Sequence, residues 1–368
     1  MYSYLLSDPQ IQRKCDTSKL SNIAILANGI YHIKSGQLEE FTPSIIAFSY
    51  INAKYMENVE CPKFDKFLCD ITGNDSVLIE RLWMFLGYVF TQSLDAKAFF
   101  VMGHAPNSGK SLLGKFIGCL YEKRYVSTIA LSDFNGDFSM GTLVGAAVNI
   151  SLDLPSTRLS PVAVSKLKML TGGDMITINE KYVPQFKYQN RAKFIFASNH
   201  PLKLAEEDEA FWERLVFLPF DYSIKKETQN AKLLEKILHE KDAIVSKALK
   251  YAKKLVELHY QFPTTRTIER RICEWRGIDI DTIDKFLQNC CTIDDACKGE
   301  LVEDLHLAYK RFCEIENEKA KTRIDFKKYL EQKGLDHCKM RHEKTDNPKS
   351  AFREIKLNDE YKEDLNHG

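Results

Sequence analysis

The segment that most constrains this 368-residue chain is an apolar strand, Ala98-Phe99-Phe100-Val101-Met102, which runs into a Gly/Pro/Asn/Ser loop and then a helical stretch from Ser111. A strand–loop–helix of this kind builds a concave nest of backbone N–H groups facing the positive end of a helix, and such a nest holds an anion. Asn107-Ser108-Gly109-Lys110-Ser111 brings the side chains that a nest uses on a polyphosphate. The lysine reaches the β- and γ-phosphates, and the hydroxyl ligates Mg²⁺. With Leu112, these residues form the expected nucleotide-binding stretch. The spacing departs from Gly-x4-Gly-Lys-Ser in one respect: Gly103 lies one residue early. Either the loop is a residue longer than usual, or His104 adopts the turn conformation.

A phosphate loop needs partners at the ends of neighbouring strands. Ala146–Leu152 is a second apolar run, and it ends at Asp153, whose carboxylate suits the Mg²⁺ shell together with Ser111. Leu154 follows, so a second, water-activating acid is absent at that point. Phe194–Ala197 ends at Ser198-Asn199, where an amide can orient an attacking water. Arg214 lies between Phe211-Trp212-Glu213 and the run Val216-Phe217-Leu218; taken alone it reads as a surface ion pair, and in a ring as a residue that neutralises charge in a neighbour's site. Between the second and third strands, Ser160-Pro161 opens a helix with a hydroxyl cap and a proline at its first position, and Gly172-Gly173 closes it. Strands alternating with helices predict an α/β fold with a mostly parallel sheet.

The patterning divides the chain into a mixed N-terminal segment (1–60), a helical stretch (61–97), an α/β region (98–262), a linker (263–285) and a C-terminal domain of helices plus a ribbon (286–368). The charge balance of 52 Lys plus Arg against 51 Asp plus Glu gives no global attraction for nucleic acid. A nucleic-acid case therefore rests on local patches. Between Gly173 and Asn199 the alternating Ile176 and Ile178 predict a strand, and Lys181, Tyr182 and Lys187, with Tyr188 and Arg191, mix charge with rings as single-strand binding requires. Lys327, Lys328, Lys339 and Arg341 form a second basic group. Cys290, Cys291, Cys297 and His306 lack the paired elbows of a zinc site. No apolar run reaches the ~18 residues a membrane helix needs, and Met1–Leu6 is too short and uncharged for a secretory signal. A cytoplasmic protein is expected.

Taken in order, the phosphate loop, Asp153, Lys168-x-x-Thr171-Gly172-Gly173-Asp174, Ser198-Asn199 and Arg214 resemble the superfamily 3 helicases of the poxvirus, phage and plasmid primase-helicase type. The resemblance implies an AAA+ core, a preceding collar, a C-terminal winged helix and a hexameric ring that moves 3′ to 5′ on single-stranded or forked DNA with ATP and Mg²⁺. It also implies roles: Gly109, Lys110 and Ser111 as Walker A, Asp153 as Walker B, Asn199 as sensor 1 and Arg214 as the arginine finger. Lys181, Tyr182 and Lys187 become the DNA grip. Met1–Glu60 is neither large nor acidic enough for a primase domain, so priming is not expected. Two rival readings are a nucleotide-gated DNA-binding initiator that hydrolyses little, and a P-loop kinase of a small substrate. The kinase lacks a lid-like arginine cluster and leaves the C-terminal domain unexplained.

Overall fold

The computed structural model describes residues 20–45, 47, 49–136, 139–180, 183–224, 232–278, 281–294, 297–316, 318–342 and 345–358. They belong to two compact units, Met1–Arg276 and Gly277–Gly368.

The first unit opens with an antiparallel sheet of β1 (Ile23–Leu26), β2 (Gly29–His32) and β3 (Gln37–Glu39), turned at Asn28-Gly29. Helices α1 (Pro62–Thr72) and α2 (Ser76–Val89) follow. Their boundaries are local chemistry: proline begins α1, a left-handed Gly73 ends it, and Asp75 caps α2 by accepting from the Val77 and Leu78 amides.

The central α/β region then runs β4 (Phe99–His104), α3 (Lys110–Cys119), β5 (Val126–Ser127), β6 (Val148–Ser151), β7 (Arg158–Leu159), α4 (Pro161–Gly172), β8 (Met175–Glu180), β9 (Val183–Gln189), β10 (Lys193–Ser198), β11 (Lys203–Leu204), α5 (Glu209–Arg214) and β12 (Leu215–Phe220). Helices α6 (Leu233–Leu238), α7 (Lys241–Glu257) and α8 (Arg266–Arg276) complete the unit. Five strands form one parallel sheet in the order β12-β4-β10-β6-β5. This is the mixed α/β, phosphate-loop-like core expected from the strand–helix alternation.

Both faces of the sheet are buried, as a parallel sheet requires. Phe100, Met102, Ile195, Ala197 and Leu218 join one core with α1, α2, α3 and α7. Their strand neighbours Phe99, Val101, Phe194, Phe196 and Phe217 join the opposite core with α4, α5 and Trp275. The helices between Cys61 and Phe90 thus share a core with the sheet. The stretch read as a linker holds α8, with Ile268 and Trp275 buried. Arg81 of α2 is buried against the edge strand, its Nε donating to the Phe217 carbonyl at 3.0 Å and its Nη1 to Pro263 at 2.6 Å. Burial pulls its pKa down to about 10.

The second unit packs α9 (Thr282–Cys290), α10 (Val302–Ile315) and α11 (Arg323–Gln332) around Phe286, Tyr309, Phe312, Phe326 and Phe352. Its strands are β13 (Cys291–Ile293), β14 (Glu300–Leu301), β15 (His337–His342), β16 (Thr345–Phe352) and β17 (Ile355–Leu357). They pair as β14-β16-β15 and β13-β17, antiparallel throughout. Among the described residues, no helix is long and apolar enough to cross a membrane.

Candidate functional site

The loop between β4 and α3 runs from Ala105 to Gly109, and the early glycine has a structural cause. His104 is the last residue of β4, paired with Phe220. The expectation that His104 forms the turn does not hold, since it lies within β4. At Gly103 a Cβ would fall 2.5 Å from both the Phe217 and the Trp275 rings, so this glycine serves aromatic packing inside the sheet. The turn is made instead by Asn107 (φ 53°) and Gly109 (φ 93°), left-handed conformations that asparagine tolerates and glycine adopts freely.

Lys110, at the first turn of α3, is largely buried, and its Nζ donates to the Ala105 carbonyl and to Ser108 Oγ. Ser108 is itself buried and donates to Ala105 O at 2.7 Å. Burial pulls the Lys110 pKa down. Ser111 is exposed beside it, and Leu112 is half-buried.

Register explains how the partners reach this loop. Ser198 of β10 is level with Gly103 of β4, and Ser151 of β6 is level with Phe196. Asp153, two residues past β6, and Asn199, one past β10, therefore lie at the carboxyl edge of the sheet where the loop begins. Both are exposed. Leu154, where a second acid would stand, is buried, and its amide donates to Ala197 O at 3.0 Å.

Arg214 lies elsewhere. Leu215 pairs with Phe99, and Phe220 pairs with His104, so Arg214 precedes the amino end of β12. At 3.3 Å per residue, it stands roughly 20 Å from the loop of its own chain. Its Nη1 donates to Ala210 O at 2.8 Å, while its Nε is buried with no hydrogen-bond partner. Asp208 caps the same helix and bonds Lys168 of α4 at 2.5 Å. That bond, above all, pulls the Asp208 pKa down.

The segment after Gly173 is a hairpin of β8 and β9, with Lys187 level with Thr177. Lys187 is exposed. Lys181 and Tyr182 lie outside the described residues. Ile178 and the partly buried Ile176, Phe186 and Tyr188 turn toward the core. Three residues fix the hairpin's root, of which the patterning singled out Tyr188, as part of the basic–aromatic stretch, but not Gln189 or Asn190. Gln189 Nε2 donates to Gly173 O at 2.9 Å, buried Asn190 Nδ2 donates to Leu170 O at 3.1 Å, and Tyr188 OH donates to Leu143 O at 2.7 Å. Gln189 and Asn190 reach carbonyls at the end of α4, where a terminating helix leaves acceptors needing donors. In the second unit, Arg323, Lys328 and Lys339 are exposed. Lys327 lies 3.7 Å from Glu331, and the Arg341 side chain lies outside the described set.

As a donor set, the Ser111 hydroxyl and the Asp153 carboxylate are hard oxygen ligands suited to Mg²⁺ held jointly with phosphates. Among the described residues, no three His, Cys, Asp or Glu side chains form a metal cluster.

A family model described as a family of unknown function (DUF5906) matches residues 101–214, the span from the strand before the phosphate loop to Arg214. The chain is 22% identical over 331 residues to "Putative helicase L207/L206" of Acanthamoeba polyphaga mimivirus, covering 81% of this chain. It spans 33% of that protein's length. Among solved structures, the apo NrS-1 C-terminal region (305-718) is similar with TM-score 0.49 and 14% identity, over 85% of this chain and 83% of that one. The A form of the same region has TM-score 0.45 and 14% identity, over 86% and 80%.

Proposed function

We propose that this chain is an ATP-dependent DNA helicase motor of the AAA+, superfamily 3 type, working as a ring that moves 3′ to 5′. The observation that carries this reading is the placement of β10. Its carboxyl end presents Asn199 beside the phosphate loop, and its amino end continues from the basic hairpin. A packed strand joining the two sites is the element a nucleotide-driven DNA grip needs.

In this reading Lys110 and the loop amides bind the β- and γ-phosphates, and Asn199 orients the attacking water. Ser111 and Asp153 hold Mg²⁺, which when bound neutralises phosphate charge. Arg214 acts on a neighbouring subunit's site, since it is too far from its own. Helices α1 and α2 serve as the collar, and the second unit as a winged helix presenting α11 with exposed Arg323 and Lys328. The similarity to the mimivirus protein supports the helicase reading. The buried Leu154 favours a second one: with Asp153 as the lone acid there, the chain binds nucleotide to assemble on DNA and hydrolyses it slowly.

Phosphate release with and without single-stranded DNA tests both. DNA-stimulated turnover that Lys110→Ala abolishes is the result expected of a helicase motor. ATP-dependent DNA binding without turnover supports the initiator. Full stimulated turnover in Lys110→Ala overturns the phosphate-loop assignment.

A further inference from the structure

We propose that Tyr222 is the platform on which the nucleobase of the bound nucleotide stacks. This rests on the nucleotide-binding reading above and names the part of the site that recognises the base. The phosphate loop gathers donors for the anionic end of a nucleotide, but nothing in Ala105–Ser111 offers a flat apolar surface for the base.

The segment after β12 supplies one. It is fastened to the phosphate loop at three points: Ala105 N donates to Phe220 O at 3.1 Å, Ser223 Oγ to Pro106 O at 2.9 Å, and Ile224 N to Asn107 O at 2.9 Å. Tyr222 lies between these bonds. Its Cα is about 3.8 Å from that of Ser223, whose hydroxyl touches the loop. A nucleoside whose phosphates occupy the nest is therefore within reach of the ring. Although its backbone neighbours are tied down, Tyr222 remains 52% exposed.

The hydroxyl end of the ring rests on Gly73, where a Cβ would fall 2.3 Å from Tyr222 Cζ. Gly73 has φ 62° as the left-handed cap of α1. Only glycine meets both conditions, the backbone turn and the ring against it. The same helix end approaches the phosphate loop: a Cβ on Gly109 would meet Phe67 at 2.9 Å and Ile71 at 3.0 Å. Gly73, Gly109 and Tyr222 thus converge on one corner, with the anion nest on one side and a half-open ring on the other. An aromatic face accepts a base by stacking whatever the pattern of the base edge, so the platform would favour nucleotides over bare polyphosphates without choosing strongly among bases.

Calorimetric titration of the full chain with Mg-ATP and with inorganic tripolyphosphate separates the possibilities, using wild type, Tyr222→Ala, Tyr222→Trp and Lys110→Ala. Stacking on an aromatic ring corresponds to roughly 5- to 150-fold in affinity. Tyr222→Ala is expected to lose that much for ATP and to bind tripolyphosphate as wild type does, and Tyr222→Trp to keep ATP affinity. Lys110→Ala should weaken both ligands together. The platform is overturned if Tyr222→Ala binds ATP normally, if it loses both ligands in parallel, or if wild type binds ATP no better than tripolyphosphate. If wild type binds neither ligand, the nucleotide-binding reading falls and takes this proposal with it; normal tripolyphosphate binding with a failed Tyr222 arm leaves that reading intact.

Discussion

Lys193 places an ammonium inside the first unit at the amino end of β10, fully buried, donating to the Ser93 carbonyl and 4.8 Å from the centre of the Tyr88 ring. Burial is the main reason its pKa falls to about 7; Arg191 lowers it further and Asp95 works against both. A lysine in the unfolded chain titrates near ~10.4, so between about 7 and ~10.4 the unfolded state holds a proton that the folded state has released. Stability contributed at this position therefore rises with pH through that window and is flat below it. Denaturant unfolding of wild type and Lys193→Met across pH 6 to 10 tests this, with wild type gaining on the variant above about 7. A stability difference that stays constant across the range would show that Lys193 remains charged inside. No local pattern marks this residue, because lysine opening a strand reads as a surface residue until its neighbours are known.

The hairpin of β8 and β9 works as an element because its root is fixed while its outer face is free. Alternation puts Ile176, Ile178 and Phe186 against the core and leaves Thr177 and Lys187 outside. The bonds from Tyr188, Gln189 and Asn190 hold the root to the end of α4 and to Leu143. The hairpin runs directly into β10, whose carboxyl end leads to Asn199. If Lys187 contacts a phosphate of single-stranded DNA, Lys187→Ala lowers the slope of log affinity against log salt by roughly one unit. Equilibrium binding at several salt concentrations measures that slope, and an unchanged value moves the grip to the C-terminal basic helix. The first strand, β8, was legible from the alternation of Ile176 and Ile178. The anchors were not, since their partners Gly173, Leu170 and Leu143 lie on other elements.

At the scale of the whole molecule, the parallel sheet separates the groups a hydrolytic site needs. Lys110, Ser111, Asp153 and Asn199 collect at the carboxyl edge, and Arg214 stands at the opposite edge beside Asp208 and Lys168. In the proposed ring, a guanidinium that far from its own loop would complete catalysis only across a subunit boundary. Arginine fingers are worth about 10³–10⁵ in rate, so Arg214→Ala and Lys110→Ala are each expected to be nearly inactive alone. Mixed together they should recover part of the activity, because some interfaces then pair an intact lysine with an intact arginine. Steady-state turnover across mixing ratios, with mass measured under ATP, checks this. Rings that form at every ratio yet never hydrolyse would exclude a trans role, as would a monomer turning over at the full rate.

The sequence by itself determined what depends on near neighbours. The strand into Gly103, the left-handed Gly109, the capped helix from Ser160 to Gly173 and the alternation at Ile176 and Ile178 follow from backbone sterics, capping and side-chain period, which act within a few residues. Tertiary structure alone decided the strand order, which brings Asp153 and Asn199 to the loop and sets Arg214 apart. It also turned Gly103 into a seat for the rings of Phe217 and Trp275, buried Lys193 and Arg81, and carried Tyr222 to the phosphate loop. These outcomes rest on contacts between residues as far as 100 or more positions apart, such as Lys193 with Ser93 and Arg81 with Phe217. Which strands lie side by side is chosen by burying both faces of one sheet at once, and no single segment encodes that condition.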